Sequence, residues 1–252
     1  MTLGIVAAMH EEIAELLRDM ESGARIARIG MRDYYAGTLD GHACVIVLAR
    51  LGKVAAAATA TALIHEFKTD RLLFTGLAGG IAPGLPVGDV VVASALMQHD
   101  LDAQPLFPRH EVPLLGKSRF DADPQLSAQL VEAAGAFLTE QLPSRIDAAT
   151  LRHFRIDAPR VHAGLVLSGD QFISSHARAA ALLAAAPDAL AVEMEGAAVA
   201  QVCYEYGVRF AVMRTVSDNA NDQAHVDFPP FLKNVASVYS HGIVKRFLAL
   251  DR

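Results

Sequence analysis

The chain has 252 residues, of which 52% are hydrophobic and 20% charged, so it can bury a full core. Its formal net charge of −6 argues against a nucleic-acid partner, which usually needs a broad basic face. No apolar run is long enough to cross a bilayer, and the apolar start at 1–8 is too short for a signal peptide. We therefore expect a soluble, cytoplasmic protein that binds neither nucleic acid nor membrane.

Short β-like runs alternate with alanine-rich helical stretches along the chain. Apolar runs predict strands at 3–8, 71–75, 89–93 and 208–214. A hairpin is predicted from 34–39 to 43–48 across the Asp40-Gly41 turn. Helical patterns cover 11–20, 52–67, 124–142, 177–186 and 231–250, and the less regular stretch 143–162 is interpreted as a connection with a short helix. This alternation favours one layered α/β domain over residues 1–252.

The sequence contains no pattern that is typical of a metal or cofactor site. Cys44 and Cys203 lie in apolar runs and are predicted to be buried thiols of a reducing compartment. The ten histidines lack any metal-ligand spacing, so no metal site is expected. The glycine cluster at 76–80 fits neither the dinucleotide nor the phosphate-loop motif, and no cofactor is predicted.

Three polar or glycine-rich segments stand beside predicted strands. The first, Gly76-Leu77-Ala78-Gly79-Gly80, is interpreted as a turn whose amides approach an anion or sugar hydroxyls. A tight turn that only needs small residues explains the same composition equally well. The glycine segment therefore cannot identify a ligand by itself.

The second segment places Glu193 and Glu195 on either side of Met194 in an apolar context. If 191–195 is extended, both carboxylates point to the same side of the strand. Their burial requires partners, and vicinal ribose hydroxyls suit a carboxylate that accepts two hydrogen bonds. The alternative is a solvated strand end.

The third segment follows the strand predicted at 208–214 and offers Arg214, Ser217 and Asp218. Such strand ends are where α/β proteins bind ligands, although Ser217 or Asp218 as a helix N-cap explains the spacing equally well. Near the amino terminus, Glu11 and Glu12 complement a helix dipole, and only one of them can point inward.

Seven motifs in a fixed order together resemble the methylthioadenosine/S-adenosylhomocysteine nucleosidase branch of the purine nucleoside phosphorylase superfamily. They are G-I-V-A-A-M-H-E-E-I near the start, L-G-K-V-A-A-A at 51–57, T-G-L-A-G-G at 75–80, V-G-D-V-V-V at 87–92, S-G-D-Q-F-I at 168–173, V-E-M-E-G at 192–196 and R-T-V-S-D at 214–218. The resemblance spans nearly the whole chain. It implies a nucleoside phosphorylase-like α/β/α sandwich with a mixed central sheet, usually as a homodimer.

The resemblance also implies a purine nucleosidase that releases adenine from 5′-methylthioadenosine, S-adenosylhomocysteine or both, within methionine salvage. Asp218 is then the acid that protonates purine N7, and Glu12 is the base that activates water across the sugar. This division parallels the two carboxyls of inverting glycosidases. Glu195 would hold the ribose hydroxyls, and Arg214 would help to hold the nucleophile.

The other binding residues that the resemblance implies surround the base, the ribose and the 5′ substituent. Phe172 would stack on the base and the Ile173 backbone would read its edge, while Met194 packs on the ribose. Met9, Leu51 and Phe228 would line the site of the 5′-alkylthio group, and the remaining substrate-binding residues are Gly79, Glu193 and Ser217. The segment after His99 resembles the part that closes the neighbouring subunit's pocket.

Whether phosphate or water attacks depends on the amino-terminal segment. Phosphorylases of this superfamily generally carry an arginine in a G-x-P-x-R-like segment, whereas residues 4–9 read G-I-V-A-A-M and Glu12 follows. An acid beside phosphate in a desolvated site is repulsive, so water is predicted. Leu77 stands where bacterial nucleosidases often have serine, and His10 where an acid is common. A phosphorylase, a hydrolase of another purine nucleoside and a non-catalytic nucleoside-binding protein remain alternatives.

Overall fold

The computed structural model describes residues 1–20, 23–221 and 224–250. The other six positions of the predicted domain at 1–252 lie outside this described part. Within it, eleven strands form one mixed sheet. The strands are β1 (Leu3–Ala7), β2 (Arg25–Ile29), β3 (Arg32–Leu39), β4 (His42–Leu48), β5 (Arg71–Phe74), β6 (Leu77–Gly80), β7 (Val90–Gln98), β8 (Arg119–Asp121), β9 (Val161–Ser168), β10 (Ala189–Glu193) and β11 (Arg209–Asp218).

Helices cover the sheet and lie in five of the ten connections between the described strands. They are α1 (Ala14–Asp19), α2 (Lys53–Phe67), α3 (Pro124–Ala136), α4 (Leu142–Arg145), α5 (Ala148–His153), α6 (His176–Ala185), α7 (Gly196–Tyr206), α8 (Ala224–Phe231) and α9 (Ser237–Leu250). A 3₁₀ turn spans His10–Glu12, and π-helical segments at Phe137–Gln141 and Leu232–Ala236 continue α3 and precede α9. Asp123 caps α3 through the Leu126 amide, with Pro124 in the first turn.

The strand order is β2-β3-β4-β1-β5-β11-β6-β10-β9-β7-β8, with a further pairing between β11 and β7. This pairing closes β11, β6, β10, β9 and β7 into a ring. β11 is the common member: it runs parallel to β5 and then β6, and antiparallel to β7. Its ten residues therefore carry the chain from the open half of the sheet into the ring, and Asp218 ends the strand.

Alternation along β1 shows how the layers pack. Leu3, Ile5 and Ala7 belong to one buried cluster, which also contains residues of α1, α3 and α9. Val6 belongs to a second cluster with residues of α2 and α7. Because successive strand residues point to opposite faces, the sheet lies between two helical layers. The predicted α/β class with a mixed central sheet is confirmed.

The predicted hairpin is also confirmed, because Leu39 pairs with His42 across a turn. Asp40 and Gly41 have φ of 51° and 81°, which this tight turn requires. Other predicted strands have different lengths, since β7 and β11 continue well beyond 93 and 214. Within the described ranges, no helix is long and apolar enough to span a bilayer.

One local prediction is wrong, and one condition is met only in part. The glycine segment at 76–80 is not a turn, because Leu77–Gly80 forms β6 between β10 and β11. The condition that 191–195 is extended holds only as far as Glu193, since Glu195 is the N-cap residue of α7. In both places backbone pairing with distant strands decides the structure, and a local sequence pattern contains no information on that pairing.

Candidate active site

A cavity of about 430 Å³ lies at the carboxyl ends of β1, β10 and β11. Every predicted site residue except Arg214 lines it: Met9, Glu12, Leu51, Gly79, Phe172, Ile173, Glu193, Met194, Glu195, Ser217, Asp218 and Phe228. The position agrees with the rule that α/β proteins bind ligands beyond the carboxyl ends of their strands.

Glu12 lies on the 3₁₀ turn after β1 and is buried, whereas its neighbour Glu11 is exposed. Its Oε2 accepts the amides of Ala8 and Met9, both at 2.9 Å, and its Oε1 accepts the Leu77 amide at 3.2 Å. Burial raises the pKa of Glu12 to about 7, although these amides and the nearby Arg214 charge lower it. A carboxylate with this pKa can take up a proton near neutral pH.

The glycines around β6 allow the backbone to approach two carboxyl groups. A Cβ on Gly76 would lie 3.0 Å from Glu12 Oε1, and one on Gly79 would lie 3.1 Å from Asp218 Oδ1. The two acids therefore approach the backbone of one short segment at different glycines, Glu12 at its start and Asp218 three residues later.

Asp218 ends β11 and is only 2% exposed. Its Oδ1 accepts the Ala220 amide at 2.8 Å, and the Ser217 hydroxyl donates to Oδ2 at 2.8 Å. Asp218 lies six positions before Ala224, where the described part of α8 begins, so it is not in the N-cap position next to that residue. Its burial on the cavity wall puts a carboxyl group where a ligand can contact it.

Arg214 lies behind the cavity wall rather than on it. Its Nη2 and Nε donate to Glu193 Oε2 at 2.7 and 3.2 Å, and its guanidinium carbon lies 4.0 Å from the centre of the Phe74 ring. Both charged groups of this ion pair are buried. Because the guanidinium is bound to Glu193, Arg214 acts on Glu12 through its charge.

Glu193 and Glu195 differ in how many protein donors they engage. Glu193 accepts hydrogen bonds from Ser168 Oγ and from the Glu195 and Gly196 amides, besides Arg214. Glu195 Oε1 accepts the Gly52 amide at 2.8 Å, and within the described chain its Oε2 has no hydrogen-bond donor. Burial, and then the charge of Glu193, raise the pKa of Glu195. Glu195 is therefore the acid with acceptor capacity left for a ligand.

Apolar side chains form the mouth of the cavity. The rings of Phe172 and Phe228 meet edge to face with centroids 5.7 Å apart. Phe172 is 47% exposed and Leu51 57% exposed, whereas Ile173 is buried. One side of the mouth is therefore open in the single chain.

Sequence reasoning missed six residues that also line the cavity: Ala8, Leu77, Ala78, Gln171, Val192 and His225. Gln171 directly precedes Phe172, and His225 lies one helical turn before Phe228 on the same face of α8. These short spacings are the signals that could have identified Gln171 and His225.

The model of the phosphorylase superfamily matches residues 2–249. The chain therefore belongs to this superfamily, and its mixed α/β sheet is the nucleoside phosphorylase-like fold.

Within the superfamily, the chain is a member of the methylthioadenosine/S-adenosylhomocysteine nucleosidase branch. It is 35% identical to 5′-methylthioadenosine/S-adenosylhomocysteine nucleosidase of Shewanella oneidensis over 234 residues, which cover 92% of this chain and 90% of that one. The nucleosidase of Neisseria meningitidis in complex with methylthio-immucillin-A superposes with a TM-score of 0.84 at 34% identity, covering 98% of both chains. Futalosine hydrolase of Helicobacter pylori is also similar, with a TM-score of 0.83 at 29% identity, covering 99% of this chain and 97% of that one.

Proposed function

We propose that this protein is an N-glycosyl hydrolase that cleaves the N-ribosidic bond of 5′-methylthioadenosine, S-adenosylhomocysteine or both and releases adenine. The observation that carries the proposal is a cavity lined by two buried carboxyl groups, Glu12 and Asp218, which approach the backbone at different glycines. Membership of the nucleosidase branch supports the same reaction.

Bond cleavage of this type proceeds through an oxocarbenium-like ribosyl group, so the departing adenine must gain a proton. Asp218 donates it to purine N7, with its carboxyl group oriented by the Ala220 amide and the Ser217 hydroxyl. Glu12 accepts a proton from the attacking water on the other side of the sugar. Its pKa of about 7 suits a general base near neutral pH. The two carboxyl groups thus share the work as in an inverting glycosidase.

The other cavity residues hold the nucleoside in place. Glu195 binds the ribose hydroxyls with the oxygen that no described protein group engages. Phe172 stacks on adenine, and the Ile173 backbone meets its hydrogen-bonding edge. Met9, Leu51 and Phe228 contact the 5′-thioether, whose apolar surface matches theirs.

Water rather than phosphate is the proposed nucleophile. No lysine or arginine is among the described residues that line the cavity, and Arg214 behind the wall is bound to Glu193. A phosphate dianion would lie beside the acids Glu12 and Glu195 without a compensating cation. Water causes no such repulsion.

The test is release of adenine from methylthioadenosine and S-adenosylhomocysteine in phosphate-free buffer, followed by ultraviolet absorbance. We expect adenine from at least one of them, at a rate that added phosphate does not change. Strict dependence on phosphate would favour a phosphorylase, and tight binding without cleavage would favour a nucleoside-binding protein. Faster release of base from inosine or futalosine would contradict the proposed adenine preference.

We also propose that the working form is a homodimer in the cytoplasm, active in methionine salvage. Leu106 and Leu114, on the segment between β7 and β8, are 83% and 92% exposed, and Val54 near the cavity mouth is 82% exposed. A second copy that covered these side chains would remove their apolar surface from water, which favours association. Both cysteines are free and buried, as expected in a reducing compartment.

A further inference from the structure

A second pocket, of about 160 Å³, lies beside the nucleoside cavity. β1 and β4 are parallel neighbours, and the Ala49 amide still donates to the Ala7 carbonyl at 2.7 Å where both strands end. The chain therefore leaves the two strands side by side, at residues 8–10 and 49–51. Residues 9 and 51 line the nucleoside cavity, whereas His10 and Arg50 line the second pocket. The two spaces therefore adjoin along these residues, next to the proposed site of the 5′-thioether.

Two arginines and one aspartate give this second pocket both signs of charge. Arg32, Asp33 and Arg50 all line it. Arg32 Nε donates to the Ala49 carbonyl at 3.0 Å, and Arg50 Nη2 donates to the Met31 carbonyl at 2.6 Å. A guanidinium has five N–H donors, so hydrogen bonds to backbone carbonyls leave each arginine donors for a ligand. A carboxylate and an ammonium on one ligand would both find an opposite charge here.

Arg50 has an unusual backbone conformation. Its φ of 72° is in the left-handed region, which is unfavourable for a residue with a long side chain. Its neighbour in the pocket, Met31, also has a positive φ, of 60°, in the turn between β2 and β3. The backbone thus turns Arg50 toward the β2–β3 turn, and the arginine borders the pocket despite this strain.

We infer that this pocket binds the α-amino-acid end of a 5′-thioether substituent, with Arg50 on the carboxylate and Asp33 on the ammonium. The inference rests on the proposed function and deepens it, since it selects S-adenosylhomocysteine over methylthioadenosine. A methylthio group ends inside the apolar mouth and cannot reach these charges. The homocysteine group continues past Met9 and Leu51 to the charged pocket.

The test compares KM for S-adenosylhomocysteine with KM for methylthioadenosine in wild type and in Arg50→Gly. Glycine adopts a φ of 72° without strain, so the variant removes the charge and leaves the backbone unchanged. We expect the ratio of the two KM values to rise roughly fivefold, as for a partly exposed charge pair. Arg25→Ala, which removes an exposed arginine of β2 outside the pocket, is the matched control and should leave the ratio unchanged.

Two further substrates distinguish the two charges. The KM for the decarboxylated analogue, 5′-(3-aminopropylthio)-5′-deoxyadenosine, should stay unchanged in Arg50→Gly but rise in Asp33→Asn. The deaminated analogue, 5′-(3-carboxypropylthio)-5′-deoxyadenosine, should show the opposite pattern. An unchanged KM ratio in Arg50→Gly, with equal effects on both analogues, would overturn the inference.

The same experiments distinguish failure of the hydrolase proposal from failure of the inference about the pocket. If wild type cleaves neither substrate, the hydrolase proposal fails, and the pocket is then tested by calorimetric binding of the same ligands. A ratio of Kd values that rises in Arg50→Gly but not in Arg25→Ala still supports the amino-acid site. If cleavage proceeds and the ratio stays constant, only the inference about the pocket fails.

Discussion

At the scale of single residues, the site depends on carboxyl groups that differ in their partners. Glu193 is bound to Arg214 and backbone amides, Glu12 to three amides, and Glu195 to one amide. Asp218 contacts a hydroxyl and an amide. These partners separate two proposed roles, because Glu193 is held in a buried ion pair, whereas the other three acids line the cavity and are proposed to contact the ligand.

Asp218→Asn should remove the proton that adenine needs to depart. We expect kcat to fall by roughly 10²–10⁴, the usual contribution of a general acid. The asparagine oxygen can still accept the Ala220 amide, so the fold should persist. Steady-state adenine release measures the rate and circular dichroism checks the fold. Near-normal turnover in a folded variant would mean that another group protonates the base.

Glu12 should make the protein less stable as pH rises. Its pKa is about 7 in the folded state and near 4.5 when exposed, so between these values the folded state holds a proton that the unfolded state releases. The free energy of unfolding therefore falls with pH across this window, by up to about 3 kcal/mol. Glu12→Gln should lose this part of the decrease.

The measurement is urea unfolding at pH 5 and pH 8, with Glu11→Gln as the control because Glu11 is the exposed neighbour. The Glu12 variant should gain stability relative to wild type at pH 8 but not at pH 5, while the control follows wild type. Curves that run parallel for all three proteins would show that Glu12 does not titrate in this range.

Some of the site could be predicted because its signals are local. Glu12 is buried and Glu11 exposed, in agreement with the prediction that only one of these neighbours can point inward. Phe172 and Ile173 are adjacent in sequence, and both line the cavity. The partners of Arg214 could not be predicted, because Glu193 lies 21 residues away and reaches it only through the pairing of β10, β6 and β11. Sequence spacing contains no information on such contacts across the sheet.

At the scale of secondary structure, apolar patterns were sufficient where a strand is buried on both faces. β1 and β5 are buried throughout and were predicted nearly to their ends. β2 at the edge, with mostly exposed residues, and the three-residue β8 lack that pattern and were missed. β9 begins with partly exposed residues and was missed as well, although its second half is buried.

Two glycines in helices test how closely α9 packs against α3 and the π-helical segment that continues it. A Cβ on Gly242 of α9 would lie 2.2 Å from the Phe137 ring, whereas one on Gly135 of α3 would meet nothing within 4 Å. We expect Gly242→Ala to destabilise the protein by about 1–3 kcal/mol through overpacking. Gly135→Ala should stabilise it by up to about 1 kcal/mol through helix propensity.

Thermal unfolding of the two variants measures this difference. The opposite signs are the informative result, since both changes add the same methyl group to a helix. A Gly242→Ala variant as stable as Gly135→Ala would show that the Phe137 ring moves aside at little cost.

At the scale of the whole molecule, we expect a second copy of the chain to cover the open side of the cavity mouth. Light scattering after size exclusion should give twice the 26.9 kDa of one chain. Leu106→Asp should shift the protein toward monomer and raise KM, because Leu51 and Phe172 would lose their cover. Glu111→Gln, which changes a charge on the same segment, serves as the control. A wild-type mass of one chain would contradict the homodimer.

The most direct measurement of the proposed mechanism is a crystal structure with a non-hydrolysable methylthioadenosine analogue. It should show the Asp218 carboxyl within hydrogen-bonding distance of purine N7, and a water molecule between Glu12 and the far face of the anomeric carbon. A structure with both acids on the same face of the ribose, or with adenine bound away from Asp218, would contradict the mechanism.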